Sequence, residues 1–304
     1  MSKASFVQIV SIIEEHHVFT DQSTISQAPV YQQFLVFLTK LGRFGNGVSV
    51  GIIAHYFGLS EGLVSVYCNR IVIALLDIES RVVFWPDGHE RRLIASRIEM
   101  EHVFEGCAGF VDGTLFPVYS RPSVHGEDYF CRKGFLWYGW NGLPGAVHDM
   151  RVWSNSVMRT HASKYFDRFE FLLVDSGYAM SDVILPSFKR LRGCRFVNEN
   201  CIGLLKGRFQ SLRGMRMDIS NPKAAKLMVM FFRCAAVLHN LLLDMSDSED
   251  EWDTELRACD ESNATSDLDA VDSNQIEIGY NNPCERREYH ADKFWMETLN
   301  ANYS

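Results

Sequence analysis

The sequence predicts an α+β protein: a helical N-terminal part, a mixed sheet with flanking helices, then an acidic tail. Three observations carry that expectation. Apolar residues recur at helical spacing through residues 28–80; two apolar runs of strand type end on or enclose an acid, at Asp112 and Asp175; and after Asp244 the composition turns acidic and Ser-rich. The expected boundaries are 1–100 for the helical part, 101–243 for the sheet-bearing core and 244–304 for a largely disordered tail.

In chain order, Tyr31, Phe34, Leu35, Phe37, Leu38 and Leu41 predict a helix broken between Gly42 and Gly47. From Val50 to Ile71 a short helix, a turn at Gly58, a Ser60 cap and a second helix with Val64, Tyr67 and Ile71 inward resemble a helix-turn-helix. That arrangement would present Glu61, Ser65, Asn69 and Arg70 to a groove or to phosphates; a plain helical hairpin fits the same pattern. Residues Arg81 to Arg97 are expected to cross to the next part, with Val82 to Gly88 extended and ended by a turn.

Asp112 sits within Cys107–Val118, among Phe110, Val111, Leu115, Phe116 and Val118. One reading is a buried strand whose carboxylate needs a metal, a cation or hydrogen bonds to offset its burial; the other is an Asp-Gly-Thr turn between two short strands. Tyr119–Gly134 is polar and reads as a loop, in which Arg132 and Lys133 are either solvated charges or phosphate contacts. Gly142–Trp153 reads as a turn into a helix, with Asp149 near its start, where the helix dipole alone favours a carboxylate. Phe171–Val174 is expected as a strand with Asp175 turning off its end, and Asp182 as the cap of a short helix. Glu199 falls on a helix within 196–216, followed by Lys206, Arg208, Arg213 and Arg216. A last helix opens at Asn221-Pro222 with Leu227, Met230, Phe231, Cys234, Val237, Leu238 and Leu241 toward the core. Tyr289–Leu299 has the makings of a short terminal helix.

The net charge of −8 is unevenly spread: residues from Asp244 on carry 17 acids against 4 Lys/Arg, and residues 1–243 carry 26 Lys/Arg against 21 acids. Between Pro186 and Arg233 there are 11 basic residues, opposed by Glu199 and Asp218, so a polyanion-binding surface is compatible with the acidic total. The 8 Cys show no C-x-x-C pair, which favours reduced thiols in an intracellular protein. The first residues read as a helix start rather than a secretory signal, and no run is expected to approach the roughly 18 apolar residues that span a bilayer. Cytosol or nucleus is the expected location.

Six ordered motifs carry a family likeness: Ala108-Gly-Phe-Val-Asp-Gly-Thr114, Tyr129-Phe-Cys-Arg-Lys-Gly134, Gly142-Leu-Pro-Gly-Ala-Val-His-Asp-Met-Arg-Val-Trp153, Leu173-Val-Asp-Ser-Gly-Tyr178, Asn198-Glu-Asn-Cys-Ile-Gly-Leu-Leu-Lys-Gly-Arg-Phe209 and Val237-Leu-His-Asn240. Together, from about Cys107 to Leu243, they resemble the PIF/Harbinger-type DDE transposases and the nuclease-like proteins derived from them. The resemblance implies an RNase H-like core in which Asp112, Asp175 and Glu199 hold two divalent ions, Mg²⁺ or Mn²⁺, for DNA phosphodiester cleavage and strand transfer; Asp149 also matches an acidic position and would assist the metal or shape the site. Hard carboxylate oxygens suit those ions, and a pair of them needs no side-chain nucleophile. DNA is the implied partner, with Arg132, Lys133, Lys206, Arg208, Arg213, Asn69 and Arg70 as candidate contacts, and a separate DNA-binding partner protein is compatible with it; the oligomeric state is not readable.

The pattern also departs from that family. Only nine residues, Phe135–Leu143, lie between Gly134 and Pro144, where the family has two antiparallel strands; at about 3.3 Å per residue they make one short strand at most. Phe188–Phe196 is also short. The expectation is therefore a sheet lacking outer strands, with the first acid's strand at an edge and catalysis weakened. The alternative from another functional class is a non-catalytic DNA- or partner-binding protein that keeps the fold; a helical protein with chance acids is a third, against which the ordered motifs count.

Overall fold

The computed structural model describes residues 1–20, 26–45, 49–102, 104–111, 113–117, 137–139, 153–175, 177–186, 192–214, 222–245 and 247. Asp112, Arg132, Lys133 and Asp149 lie outside them, as do the Gly142–Val152 turn and nearly all of the tail. The elements in order are α1 (Lys3–Ile13), α2 (Val30–Gly42), α3 (Val50–Phe57), α4 (Glu61–Asp77), α5 (Glu79–Val82), α6 (Gly88–His102), β1 (Cys107–Val111), β2 (Leu115–Pro117), β3 (Trp137–Gly139), α7 (Val157–Thr160), α8 (Ala162–Tyr165), β4 (Phe171–Val174), β5 (Ile184–Pro186), α9 (Arg192–Arg208) and α10 (Pro222–Asp244). Mostly helical with a small parallel sheet, this agrees with the expected mixed class. The chain divides into two units, one of Met1–Phe84, Thr114–Val147 and Ile202–Leu256, the other of Trp85–Gly113, His148–Cys201 and Arg257–Ser304.

In the first unit the helices form around apolar stripes at i, i+3 and i+7. Phe34, Phe37 and Leu41 of α2 face Val64, Cys68, Ile71, Val72 and Leu75 of α4, and α10 closes the cluster with Met228, Phe231, Phe232, Ala235, Val237, Leu238 and Leu242. Each phenyl ring so buried contributes about 2–3 kcal/mol, and the Phe37 and Phe231 rings meet at 5.4 Å between centroids. Leu227 and Met230, expected inward, are only half-buried; the buried stripe turns toward Met228 and Phe232. By length and composition α10 could cross a bilayer, which corrects the expectation that no run comes near that requirement, and 56% of its apolar window is buried in this core.

The break between α3 and α4 is built from its caps. Gly58 ends α3 at φ 64°, where a side chain would be strained, and Leu59 N–H donates back to Ala54 O at 2.9 Å. Ser60 Oγ then accepts from Leu63 N–H at 3.2 Å and starts α4. The axes of α3 and α4 bend by 100° at this break. Asn240 of α10 anchors α5 by donating Nδ2–H to Val82 O at 3.1 Å, and the Arg233 guanidinium pairs with Glu79.

The second unit carries the parallel sheet, in the order β1-β4-β5. Alternate residues of β4 enter different clusters: Phe171 and Leu173 pack with Ile98, Phe104, Cys107 and Leu185, whereas Leu172 and Val174 pack with Trp153, Phe166, Tyr178 and Ile184. Burial on both faces explains the uninterrupted Phe-Leu-Leu-Val run. The extended piece expected over Val82–Gly88 is found at residues 83–87, between the end of α5 at Val82 and the start of α6 at Gly88, and the rest of Arg81–Arg97 is helical. Asp87 Oδ1 accepts from the N–H of His89 and Glu90 at 2.8 Å each, and Glu90 Oε2 accepts from Asp87 N–H at 3.0 Å, a reciprocal cap. These N–H donors, Glu90's first, hold the Asp87 carboxyl below its usual range. The short helix expected after Asp182 is absent: Ser181 and Ile184 exchange backbone hydrogen bonds across a tight turn, and the chain continues as β5, parallel to β4.

Candidate active site

Residues 107–118 divide into two strands rather than one. β1 stops at Val111 and β2 resumes at Leu115, with Asp112-Gly-Thr114 between them, so the reading of two short strands is the one that holds. β2 pairs antiparallel with β3, Leu115 opposite Gly139, and β3 is the single short strand expected of the nine-residue link. β1 instead pairs parallel with β4, and the last matched pair is Val111 with Val174. Among the described residues β1 is an edge strand of this sheet.

Asp175 follows β4 directly. Its backbone carbonyl accepts from Tyr178 N–H at 3.1 Å, and the half-buried Asp175 is thereby held between a fully buried strand and a buried tyrosine. The approach to β4 is equally constrained. Arg91 of α6 is buried and donates Nε–H to Glu170 Oε2 at 2.7 Å and Nη1–H to Pro86 O at 3.0 Å, with Nη2 at 3.2 Å from Asp167 Oδ2. Glu170 Oε2 also accepts from Asp167 N–H at 2.8 Å. Gly106, at φ 78°, lets Phe169 O approach so closely that a Cβ there would lie 2.7 Å away. This clamp of Arg91, Asp167, Glu170 and Gly106 was missed by sequence reasoning, because no local pattern links residues about 80 apart.

Glu199 lies on α9, as expected. The helical period sets Arg192, Arg195, Glu199 and Lys206 along one stripe of that helix. Arg208, at its end, is engaged within the first unit: Nη2–H donates to Asp247 O at 3.1 Å, and Nη1 lies 3.3 Å from His239 Nδ1. Burial first, then the Arg208 cation, push the His239 pKa down to about 4. Asp247, the one described residue of the acidic stretch beyond Met245, is buried and accepts from Ser2 N–H at 3.1 Å through each oxygen. Arg213 and Asn69 are exposed and Arg70 is half-buried. Among the described residues no three His, Cys, Asp or Glu side chains gather as metal ligands; Asp112 and Asp149 are outside them, and the Glu199 side chain is not described.

Residues 111–240 match the family model of the DDE superfamily endonuclease. The match covers less than half of the chain, bears out the resemblance drawn from the six motifs, and is consistent with the Harbinger type without specifying it. No curated protein and no solved structure matches the chain.

Proposed function

We propose that residues 107–243 form an RNase H-like, divalent-metal-dependent nuclease domain of Harbinger type that acts on DNA, with its rate reduced by the shortened sheet. The observation that carries this reading is the register of β1 and β4. Val111 and Val174 are partners on adjacent parallel strands, each is followed in the sequence by an aspartate, and both lie in the segment that matches the endonuclease family. Functional residues at the C-terminal ends of parallel strands are the usual arrangement in open sheets.

In this reading Asp112, Asp175 and Glu199 would hold Mg²⁺ or Mn²⁺, and Asp149 would assist. Carboxylate donors fit those hard cations, and the chemistry that a bound pair supplies is activation of water or a 3′-hydroxyl and stabilisation of the leaving oxygen. The chain's own part is to orient, since β4 and Tyr178 fix Asp175, while Arg132, Lys133, Lys206, Arg208 and Arg213 are the candidate phosphate contacts. α3 and α4 act as a helix-turn-helix presenting Asn69 and Arg70. The domain organisation 1–100, 101–243 and 244–304, nuclear or cytoplasmic location and a separate DNA-binding partner belong to the same proposal.

A second reading, a non-catalytic binding protein, is favoured by one observation: among the described residues β1, which precedes Asp112, is an edge strand, and about 1 Å of displacement of a catalytic group costs on the order of 100-fold in rate. Nicking of supercoiled DNA with Mn²⁺ separates the two. Weak cleavage that is abolished by Asp112→Asn, Asp175→Asn and Glu199→Gln supports the nuclease. Binding of DNA without cleavage at any metal concentration supports the second reading.

A further inference from the structure

Where α2 ends and the short turn of Gln210–Arg213 begins, the first unit exposes two aromatic rings, Tyr56 faced by the Arg43 guanidinium and Phe44 set against Gly214, the residue that follows Arg213. Phe44 is 61% and Tyr56 65% exposed. The Arg43 guanidinium carbon sits 4.6 Å from the centroid of the Tyr56 ring, and Phe57 meets that ring edge-on at 5.0 Å and 81°. The Phe44 ring lies so near Gly214 that a Cβ there would fall 2.5 Å from its Cε2, which seats the ring against the residue that follows the exposed Arg213. Single exposed aromatics are ordinary. Two of them, one faced by a cation and one held against a glycine that no other residue could replace without displacing the ring, form a built surface.

We propose that this cluster is a stacking platform for the unpaired bases of a single DNA strand. Bases lie on Phe44 and on Tyr56, while Arg43 and Arg213 neutralise the adjoining phosphates. Rings joined with cations suit a polyanion that carries flat faces, and within a duplex those faces are already stacked on each other. Preference for single strands over duplex, with little regard to sequence, follows. The choice of DNA rests on the nuclease reading above; the geometry of the platform does not.

The test uses the full chain without divalent metal and measures anisotropy of 5′-labelled oligo(dT), oligo(dA) and a blunt duplex of equal length at several salt concentrations. Phe44→Ala and Tyr56→Ala should each weaken binding of both oligonucleotides on the order of tenfold, with duplex affinity unchanged within about twofold. Phe44→Leu, which keeps an apolar side chain against Gly214, should match Phe44→Ala, and unchanged near-UV circular dichroism separates this loss from unfolding. Arg43→Gln and Arg213→Gln should each lower the salt slope for single strands by about 0.7. Oligonucleotide binding within twofold of the parent in both aromatic variants, an equal loss on duplex, or a dimer of the parent chain that Phe44→Ala dissociates, which would make the patch a self-interface, would each overturn the proposal. Absence of cleavage by the parent chain together with the expected aromatic effects would remove the nuclease reading and leave the platform standing.

Discussion

Replacing Arg91 with methionine removes the cation that faces a buried carboxylate. Among the described residues Glu170 then keeps only the Asp167 N–H, on Oε2, and its Oε1 has no hydrogen-bond partner there. Both side chains of the pair are more than nine-tenths buried, so solvent screening does little to soften the loss, and removing one partner of such a pair costs about 3–5 kcal/mol. The Asp167 contact adds little to that sum, because its carboxylate is 57% exposed. At about 2–4 °C per kcal/mol, the melting point should fall by about 10 °C, followed by tryptophan fluorescence, since Trp85 packs on Phe166 at 5.3 Å and donates to Tyr165 O within this unit. Arg91→Met with Glu170→Leu removes both charges and should recover most of the loss. A single variant that melts within about 2 °C of the parent, or a double variant no better than the single, would refute the view that this ion pair fixes the entry to β4.

Gly106→Ala combines a left-handed φ, costing about 1–2 kcal/mol, with a 2.7 Å approach to Phe169 O, so it should lower the urea midpoint by more than the backbone strain alone predicts. His239 is neutral in the fold with its pKa lowered to about 4, against an ordinary value near 6.5; the stability it contributes is complete above pH 6.5 and is lost as pH falls toward 4. A His239→Phe variant should show a flatter urea midpoint between pH 7 and pH 4, and an unchanged slope would refute the assignment. Burial raises the pKa of Cys68, Cys201 and Cys234 alike, so access decides between them: a short alkylation pulse at pH 8 followed by mass spectrometry should label the exposed Cys201 well before the buried Cys68 and Cys234. A chain ending at Asp247 retains the carboxylate that accepts from Ser2 N–H, and it should bind duplex DNA more tightly than the full chain at low salt, where the acidic tail competes best; fluorescence anisotropy reads this directly.

Elements whose cause is local were legible in the sequence. The helices α2 to α4 announce themselves by apolar spacing, Gly58 and Ser60, and β4 by an apolar run too short for a helix. What escaped depends on distant partners or was hidden by an irregular pattern. α6 has few apolar residues, and Leu93 and Met100 among them are exposed, so no stripe marks it; its Asp87-Gly-His-Glu90 cap is a readable sign that has the composition of a turn as well. β5 is three residues long and owes its state to pairing with β4, which no window around Asp182 contains. For the candidate site, the sequence placed Asp175 at a strand end and Glu199 on a helix, and the motif series located the family match. The β1–β4 register that relates the strand ends is a tertiary fact. The clamp around Glu170 likewise joins residues 79 apart.

The first unit draws its core from both Met1–Phe84 and Ile202–Leu256, and this has a consequence for the chain during synthesis. Phe34, Phe37 and Ile71 emerge early, but Phe231, Phe232 and Leu238, which complete their cluster, are made about 160 residues later. At about 5–20 residues per second the wait is about 8–32 s, far longer than the microseconds in which the N-terminal helices can form. For that interval α2 and α4 stand as a helical fragment with an open apolar face on the ribosome, a substrate for holding chaperones. A ribosome-stalled chain ending before Pro222 should therefore be degraded by a protease that leaves one ending after Asp247 intact.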